Sequence, residues 1–174
     1  MVRIRSYSDA DRSAVWSIFK PILEGGDTYV FYPDTSEEDA LAYWLNPAGR
    51  IFIAETENEV VASYILKANQ PGLGSHVANA AFIVSRSARG LGVGQLLGEH
   101  CLSEARRLGF RAIQFNFVVS TNEAAIRVWK KLGFSIVGTL PGAFAHREIY
   151  TFCHYPLVFV VADDRADFAN AMAH

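Results

Sequence analysis

Residues 84–110 read VSRSARGLGVGQLLGEHCLSEARRLGF. A strand-like apolar run ends near Ser85, and Gly90, Gly92 and Gly94 follow at alternate positions. An amphipathic run then carries Leu97, Cys101, Ala105 and Leu108 on one helical stripe, and Gly109 stops it. Helix N-termini leave backbone N–H groups unpaired and carry a partial positive charge. Glycine lets such a backbone approach a bulky anion with no Cβ in the way. The stretch thus predicts strand, phosphate-cradling turn and helix. A turn that only lets the helix pack tightly on a sheet is the competing reading.

Two common cradles are excluded by spacing. There is no G-x-x-x-x-G-K-[ST], and Gln95 and Leu97 stand where a dinucleotide fingerprint needs its third glycine. The 174-residue chain is long enough for one domain with a real core, here residues 1–161, followed by a polar tail over 162–174. A net charge of −2, with basic pairs only at Arg106-Arg107 and Lys130-Lys131 late in predicted helices, gives no reason to expect a nucleic-acid partner. Cys101 and Cys153 lack ligand-spaced partners, so no metal site is expected, and sparse cysteine suits a reducing compartment. The N-terminus has no apolar signal region and no run reaches membrane-spanning length. A cytoplasmic, soluble protein without a membrane partner is the expectation; a homodimer is left open.

Outward from the glycines, Val2 and Ile4 alternate with Arg3 and Arg5 as a first strand. Ser8 with Asp11 caps a helix whose stripe is Ala14, Val15, Ile18, Phe19 and Ile22. A loop rich in Gly, Tyr and Phe follows, and Thr35 with Glu38 opens a helix through Leu41, Trp44 and Leu45. RIFIAET, VVASYILKA and HVANAAFIVS read as strands before the glycine stretch, and RAIQFNFVVS after its helix. Ser120 with Glu123 opens a last helix with Ala125, Ile126, Trp129 and Leu132 on its stripe. FSIVGTL and a stretch from about Glu148 to Val161 complete the strands. The order β-α-α-β-β-β-α-β-α-β-β predicts an α+β fold: a mixed, mostly antiparallel central sheet with helices on both faces.

STNEAAIRVWKKLGF, residues 120–134, supplies a second motif. Arg89, Gly92 and Gly94 match [RQ]-x-x-G-x-[GA], while Asn122, Ala125, Trp129, Gly133 and Phe134 match N-x-x-A-x-x-x-[aromatic]-x-x-x-G-F. With the strand between them, these residues resemble the GNAT superfamily of acetyl-CoA-dependent N-acyltransferases, and the element order extends the resemblance over almost the whole chain. It implies acetyl-CoA as co-substrate, with its pyrophosphate on Arg89, Gly90, Leu91, Gly92, Val93, Gly94 and Gln95. It also implies a splay between the fourth strand, carrying Phe82, Ile83 and Val84, and the fifth. The pantetheine arm would pair with the fourth strand there, and Asn122 and Trp129 would meet that arm.

The implied reaction is attack of a neutral amine on the thioester, which needs a lost proton, a stabilised oxyanion and a departing thiolate. Many relatives place Tyr, a candidate acid, where this chain has Trp129; an indole N–H is a donor but no acid at neutral pH. Trp129 is thus read as packing on the cofactor arm or donating one hydrogen bond, or else as plain core. Base candidates are Glu24, Asp27 and His76, with a water chain as the alternative. Asn79 and Asn116 each interrupt an apolar strand beside the acetyl group, either tying backbone together or orienting thioester and acceptor. Tyr29, Phe31 and Tyr32 would wall a compact pocket. Among these, Asn122, Trp129 and Asn116 are the catalytic candidates, and Tyr29, Phe31, Asn79 and Asn116 the substrate-binding ones.

The chain is also similar to a branch acting on small amines, such as amino acids and analogues like phosphinothricin or azetidine-2-carboxylate. A basic residue expected at Ala145 and a Gly-Tyr turn after it are absent. A protein N-terminus as acceptor and a non-catalytic acyl-CoA sensor are the alternatives.

Overall fold

The computed structural model describes residues 1–57, 59–141, 143–144 and 157–163. The strands are β1 (Arg3–Ser6), β2 (Arg50–Glu55), β3 (Val60–Ala68), β4 (Val77–Val84), β5 (Ala112–Phe115), β6 (Ser135–Leu140) and β7 (Leu157–Asp163). The helices are α1 (Arg12–Gly25), α2 (Glu37–Trp44), α3 (Val93–Arg107) and α4 (Glu123–Lys131). This is the order read from the sequence. All seven strands form one sheet, β1-β2-β3-β4-β5-β7-β6, in which only the β4–β5 pairing is parallel.

The pleat of the sheet divides the core in two. Phe52, Ala54, Ala62, Tyr64, Leu66, Ala78 and Ala80 point to α3 and α4, where they meet Val93, Leu97, Cys101, Ala105 and Trp129. Ile53, Ile65 and Ile83 point the other way, to Val15, Phe19 and Leu23 of α1 and to Leu41 and Trp44 of α2. Strands covered on both faces are apolar on both faces, as β3 and β4 are. One buried polar group on the α1–α2 side is satisfied: Trp44 Nε1 donates to Ser63 Oγ at 3.0 Å.

Three helix starts differ in detail from the sequence reading. Before α1 the chain makes a short 3₁₀ turn over Asp9–Asp11, and the Asp11 carboxylate accepts from Ser8 N at 2.8 Å and Ser8 Oγ at 2.9 Å. The same carboxylate takes both ends of the Arg5 guanidinium at 2.7 Å, and Arg5 Nε reaches Glu55 at 2.8 Å. Helix α2 is capped by Ser36, which accepts from Asp39 N at 3.1 Å, instead of by Thr35 with Glu38; Thr35 donates to Tyr32 O and closes the preceding turn. Helix α4 is capped by Asn122, not Ser120. A turn bond from Asn122 N to Val119 O keeps the chain non-helical up to residue 122, so its side chain is the one that reaches Ala125 N. Strand β7 runs through Asp163, two residues past the domain boundary read from the sequence. Residues 145–156, with the expected position 145 and Cys153, and the tail beyond 163 lie outside the described residues.

Candidate active site

Strand β4 is the element around which the site is built. Its odd-numbered residues bond to β3, as Asn69 N to Val77 O and Ser85 N to Val61 O show. The even-numbered residues therefore direct N–H and C=O toward β5. Pairing with β5 lasts only through Val77–Ala112 and Ala78–Ile113. At the next step Asn79 replaces the ladder: its Nδ2 donates to Gln114 O at 2.9 Å. Beyond it the strands part, and the backbone groups of Ala80, Phe82 and Val84 line an open edge. One of these groups is taken, because the Tyr29 hydroxyl donates to Phe82 O at 2.8 Å.

The opening is a cleft of about 150 Å³. Residues 79–82 of β4 form one wall and residues 115–119 the other, with Asn122, Ala125 and Trp129 of the α4 segment and Thr28, Tyr29 and Tyr43 at its remaining sides. Phe82 is therefore at the cleft as expected, whereas Ile83 and Val84 lie beyond its lining; the Ile83 side chain is buried against α1 and α2. Asn79 and Asn116 both line it. Asn79 is buried and tied to β5, while Asn116 is exposed with its Oδ1 near Gln114 Nε2 at 3.5 Å. Tyr29 lines the cleft and also pins its loop, with its ring edge-on to Phe19 at 5.2 Å. Phe31 does not reach the lining; it packs one layer back against Phe19 and Tyr43. Tyr32 is exposed.

Trp129 is buried and lines the cleft, its ring held by Phe115 at 4.6 Å, Phe82 at 4.7 Å and Phe134 at 5.7 Å. Its Nε1 has no hydrogen-bond partner among the described residues. Room for so large a ring comes from Gly98 of α3, where a Cβ would lie 3.1 Å from Trp129 Cζ3. Asn122 Oδ1 accepts from Ala125 N at 3.2 Å, and its Nδ2 makes no hydrogen bond among the described residues.

The base candidates do not converge on the cleft. Glu24 is exposed beside Lys20 at 3.9 Å, Asp27 accepts from Thr28 Oγ1, and the His76 ring meets Leu73 O at 3.0 Å. Among the described residues lining the cleft, the titratable groups are Tyr29 and Tyr43. Burial raises both hydroxyls above their ordinary range, Tyr29 well above it, so at neutral pH they donate and do not take protons. Tyr43, Thr28 and the backbone edge of Ala80 were missed by sequence reasoning. Tyr43 lies off the buried stripe of α2, and that position was its only signal.

The glycine turn stands at the other end of β4. Gly90 and Gly92 adopt φ +77° and +79°, left-handed values that favour glycine, and Gly92 is the residue before α3. The first intrahelical bond from an amide is Leu96 N to Gly92 O, which leaves the N–H groups of Val93, Gly94 and Gln95 unpaired. A Cβ at Gly90, Gly92 or Gly94 would meet nothing within 4 Å. The turn is anchored from below by the buried Ala88 and Val93 side chains, while Arg89 and Leu91 are exposed beside it. Three amides without a backbone partner among the described residues, beside glycines that leave open space, fit a phosphate group.

The family model for the acetyltransferase (GNAT) family matches residues 13–134. The chain belongs to this family. It is an acyltransferase, and acetyl-CoA is its co-substrate. The N-acetyltransferase aca1 of Schizosaccharomyces pombe is 37% identical over 87 residues, which take in 50% of this chain and 42% of that one. The chain thus spans less than half the length of that relative. A GCN5-related N-acetyltransferase from Kribbella flavida is 38% identical, with a TM-score of 0.85 over 93% of this chain and 97% of that one. A phosphinothricin acetyltransferase from Sinorhizobium meliloti, solved with acetyl-CoA, shares the fold at a TM-score of 0.80 and 17% identity over 93% and 88% of the two chains. No helix among the described residues is long and apolar enough to cross a membrane.

Proposed function

We propose that this acetyltransferase moves the acetyl group of acetyl-CoA onto the amine of a small molecule, an amino acid or an analogue of one. The observation that carries the reading is the shape of the acceptor side. The cleft is small, and Thr28, Tyr29 and Tyr43 flank it together with Asn79 and Asn116. The phosphinothricin acetyltransferase with the same fold acts, by its name, on an amino-acid analogue, which supports the same class.

In this reading the amides of Val93, Gly94 and Gln95 hold the pyrophosphate, with Arg89 beside it, and the open edge of β4 holds the pantetheine arm. Because Tyr29 already occupies Phe82 O, the arm is left with Phe82 N–H and the groups of Ala80 and Val84. A β4 edge amide stabilises the oxyanion in a site that is already organised before reaction. Asn122 directs its Nδ2 to the arm, Asn116 and Asn79 orient the amine, and Trp129 supplies an apolar wall. The thiolate leaves without an enzymic acid, since a thiol of pKa around 8.5 is a fair leaving group near neutrality. Orientation of amine and thioester supplies much of the rate.

The test is a thermal-shift titration with acetyl-CoA, followed by thiol release across amino acids, their analogues and short peptides. A stabilising shift with thiol release from amino acids or analogues supports the reading. Release from peptide N-termini alone would move the acceptor to proteins. A shift with no release from any amine would indicate a sensor.

A further inference from the structure

We propose that Lys67, at the end of β3, is the anchor for a carboxylate on the acceptor, so that the preferred substrate is an α-amino acid instead of a simple amine. The proposal rests on the acetyltransferase reading above and names the acceptor class of that same site. Lys67 stands directly opposite Asn79 in the β3–β4 register. Ser63 and Ile65, four and two residues earlier on β3, face α1 and α2, so Lys67 leaves the sheet on that same side. Its Nζ lies over the ring of Tyr43, 5.4 Å from the centroid. Tyr43 lines the cleft, and so does Asn79. Lys67 does not itself line the cleft, but its ammonium lies beside Tyr43, which does, on the side of the sheet opposite α3 and α4.

Two cations among the described residues are half-buried, Arg5 and Lys67, and of these only Arg5 is compensated, by Asp11 and Glu55. Arg5, Lys20, Arg107 and Arg127 each pair with a carboxylate within 4.0 Å. Lys67 is half-buried and has no ion pair or hydrogen bond among the described residues, only the face of Tyr43. No described residue that lines the cleft carries a negative charge. An ammonium partly removed from water calls for an anion, and here that anion is left for a ligand to bring.

The neighbouring groups complete the match. Asn79 uses Nδ2 on Gln114 O, and its Oδ1 accepts no hydrogen bond from the described residues, so it is free to accept from an amine. Directly opposed residues of an antiparallel pair have Cβ atoms about 5 Å apart. An acceptor oxygen beside a cation suits a ligand whose amine and carboxylate share one carbon. The π face of Tyr43 fixes the direction of the lysine stem without neutralising it.

The experiment compares kcat/KM for a series of α-amino acids with that for the matching α-amino carboxamides, in the full-length protein and in Lys67→Met and Lys67→Arg. The native protein is expected to prefer the acid. In Lys67→Met the ratio of acid to carboxamide should fall by about 10- to 100-fold, chiefly through KM for the acid, and Lys67→Arg should restore most of it. A loss that is equal for acid and carboxamide would overturn the proposal and make Lys67 structural. A native protein that acetylates carboxamides as well as acids would overturn it too, while leaving the acetyltransferase reading intact. Thiol release from neither series, despite an acetyl-CoA thermal shift, would overturn this proposal together with the amino-acid acceptor it rests on.

Discussion

Gly98→Ala and Trp129→Phe should be strongly coupled, and the sign of the coupling follows from the contact between α3 and α4. An alanine Cβ at position 98 would overlap Leu132 Cδ1 and lie 3.1 Å from Trp129 Cζ3. Leu132 is half-buried and ends in a flexible group that can turn aside. Trp129 cannot, because Phe82, Phe115 and Phe134 hold its ring at 4.7, 4.6 and 5.7 Å. Overpacking of this kind costs roughly 1–3 kcal/mol. Alanine returns about 1 kcal/mol of helix propensity, so Gly98→Ala alone should lose about 1 kcal/mol. Trp129→Phe removes the outer ring and should lose about 2 kcal/mol. In the double variant the new methyl group enters the space vacated by that ring. The two losses should then fall short of their sum by about 1 kcal/mol or more. Urea denaturation followed by far-UV circular dichroism measures all four corners of the cycle. Additivity within about 0.3 kcal/mol would refute the reasoning, because Gly98 would then not be what admits Trp129.

Gly94→Glu should separate ligand binding from folding, since a Cβ there meets open space and Gly94 is not among the positive-φ glycines. Its unliganded Tm should hold while the acetyl-CoA-induced shift disappears; an undiminished shift would remove the phosphate from the α3 turn. Asn122→Ser keeps an oxygen to cap α4 but loses the Nδ2 donor, whereas Asn122→Ala loses both and should drop stability by about 1 kcal/mol. Turnover should fall in both variants and stability only in the second; full activity in Asn122→Ser would reduce Asn122 to a cap. The Arg5 guanidinium and the Ser8 donors hold the Asp11 carboxyl well below the usual range. A depressed folded pKa gives stability that is present above about pH 4 and lost as pH falls through the folded value. Asp11→Asn should thus lose about 2 kcal/mol at pH 7 and flatten the acid limb of a stability–pH curve.

What could be read from the sequence was what is decided locally. Gly90, Gly92 and Gly94 before an amphipathic run announce a bare-backbone turn at a helix mouth, whereas the left-handed angles of Gly90 and Gly92 came only from the structure. The stripes of α1 and α3 were legible from periodicity, and with them the two layers on the sheet. Caps were located to within a residue or two and no better. Thr35, Ser36, Ser120 and Asn122 are all chemically able to cap, and only the backbone angles decide which does. The splay was implied by family resemblance and not by spacing: where β4 leaves β5 depends on the Asn79 side chain taking the Gln114 carbonyl, a contact between residues 35 positions apart. Tyr43 and Lys67 were invisible for a related reason. One looks like the exposed side of a short helix and the other like a solvated strand end, until the register sets Lys67 beside Asn79.

The choice of base shows most clearly where residue chemistry stops being informative. Glu24, Asp27 and His76 were singled out as the residue types that take protons, yet none lines the cleft, and the titratable groups that do line it are phenols raised by burial. Among the described residues the cleft offers asparagines, phenols and backbone, and in the reading proposed here the acceptor amine loses its proton to water, before or during binding. The pH dependence of kcat/KM should therefore follow the acceptor and not the enzyme. For two acceptors of the same shape whose amine pKa values differ by about 2 units, the rising limbs should be displaced by about 2 pH units. Measuring both profiles on the same preparation tests this. A limb at one fixed pH for both acceptors would instead assign a side chain as the base and overturn the water route.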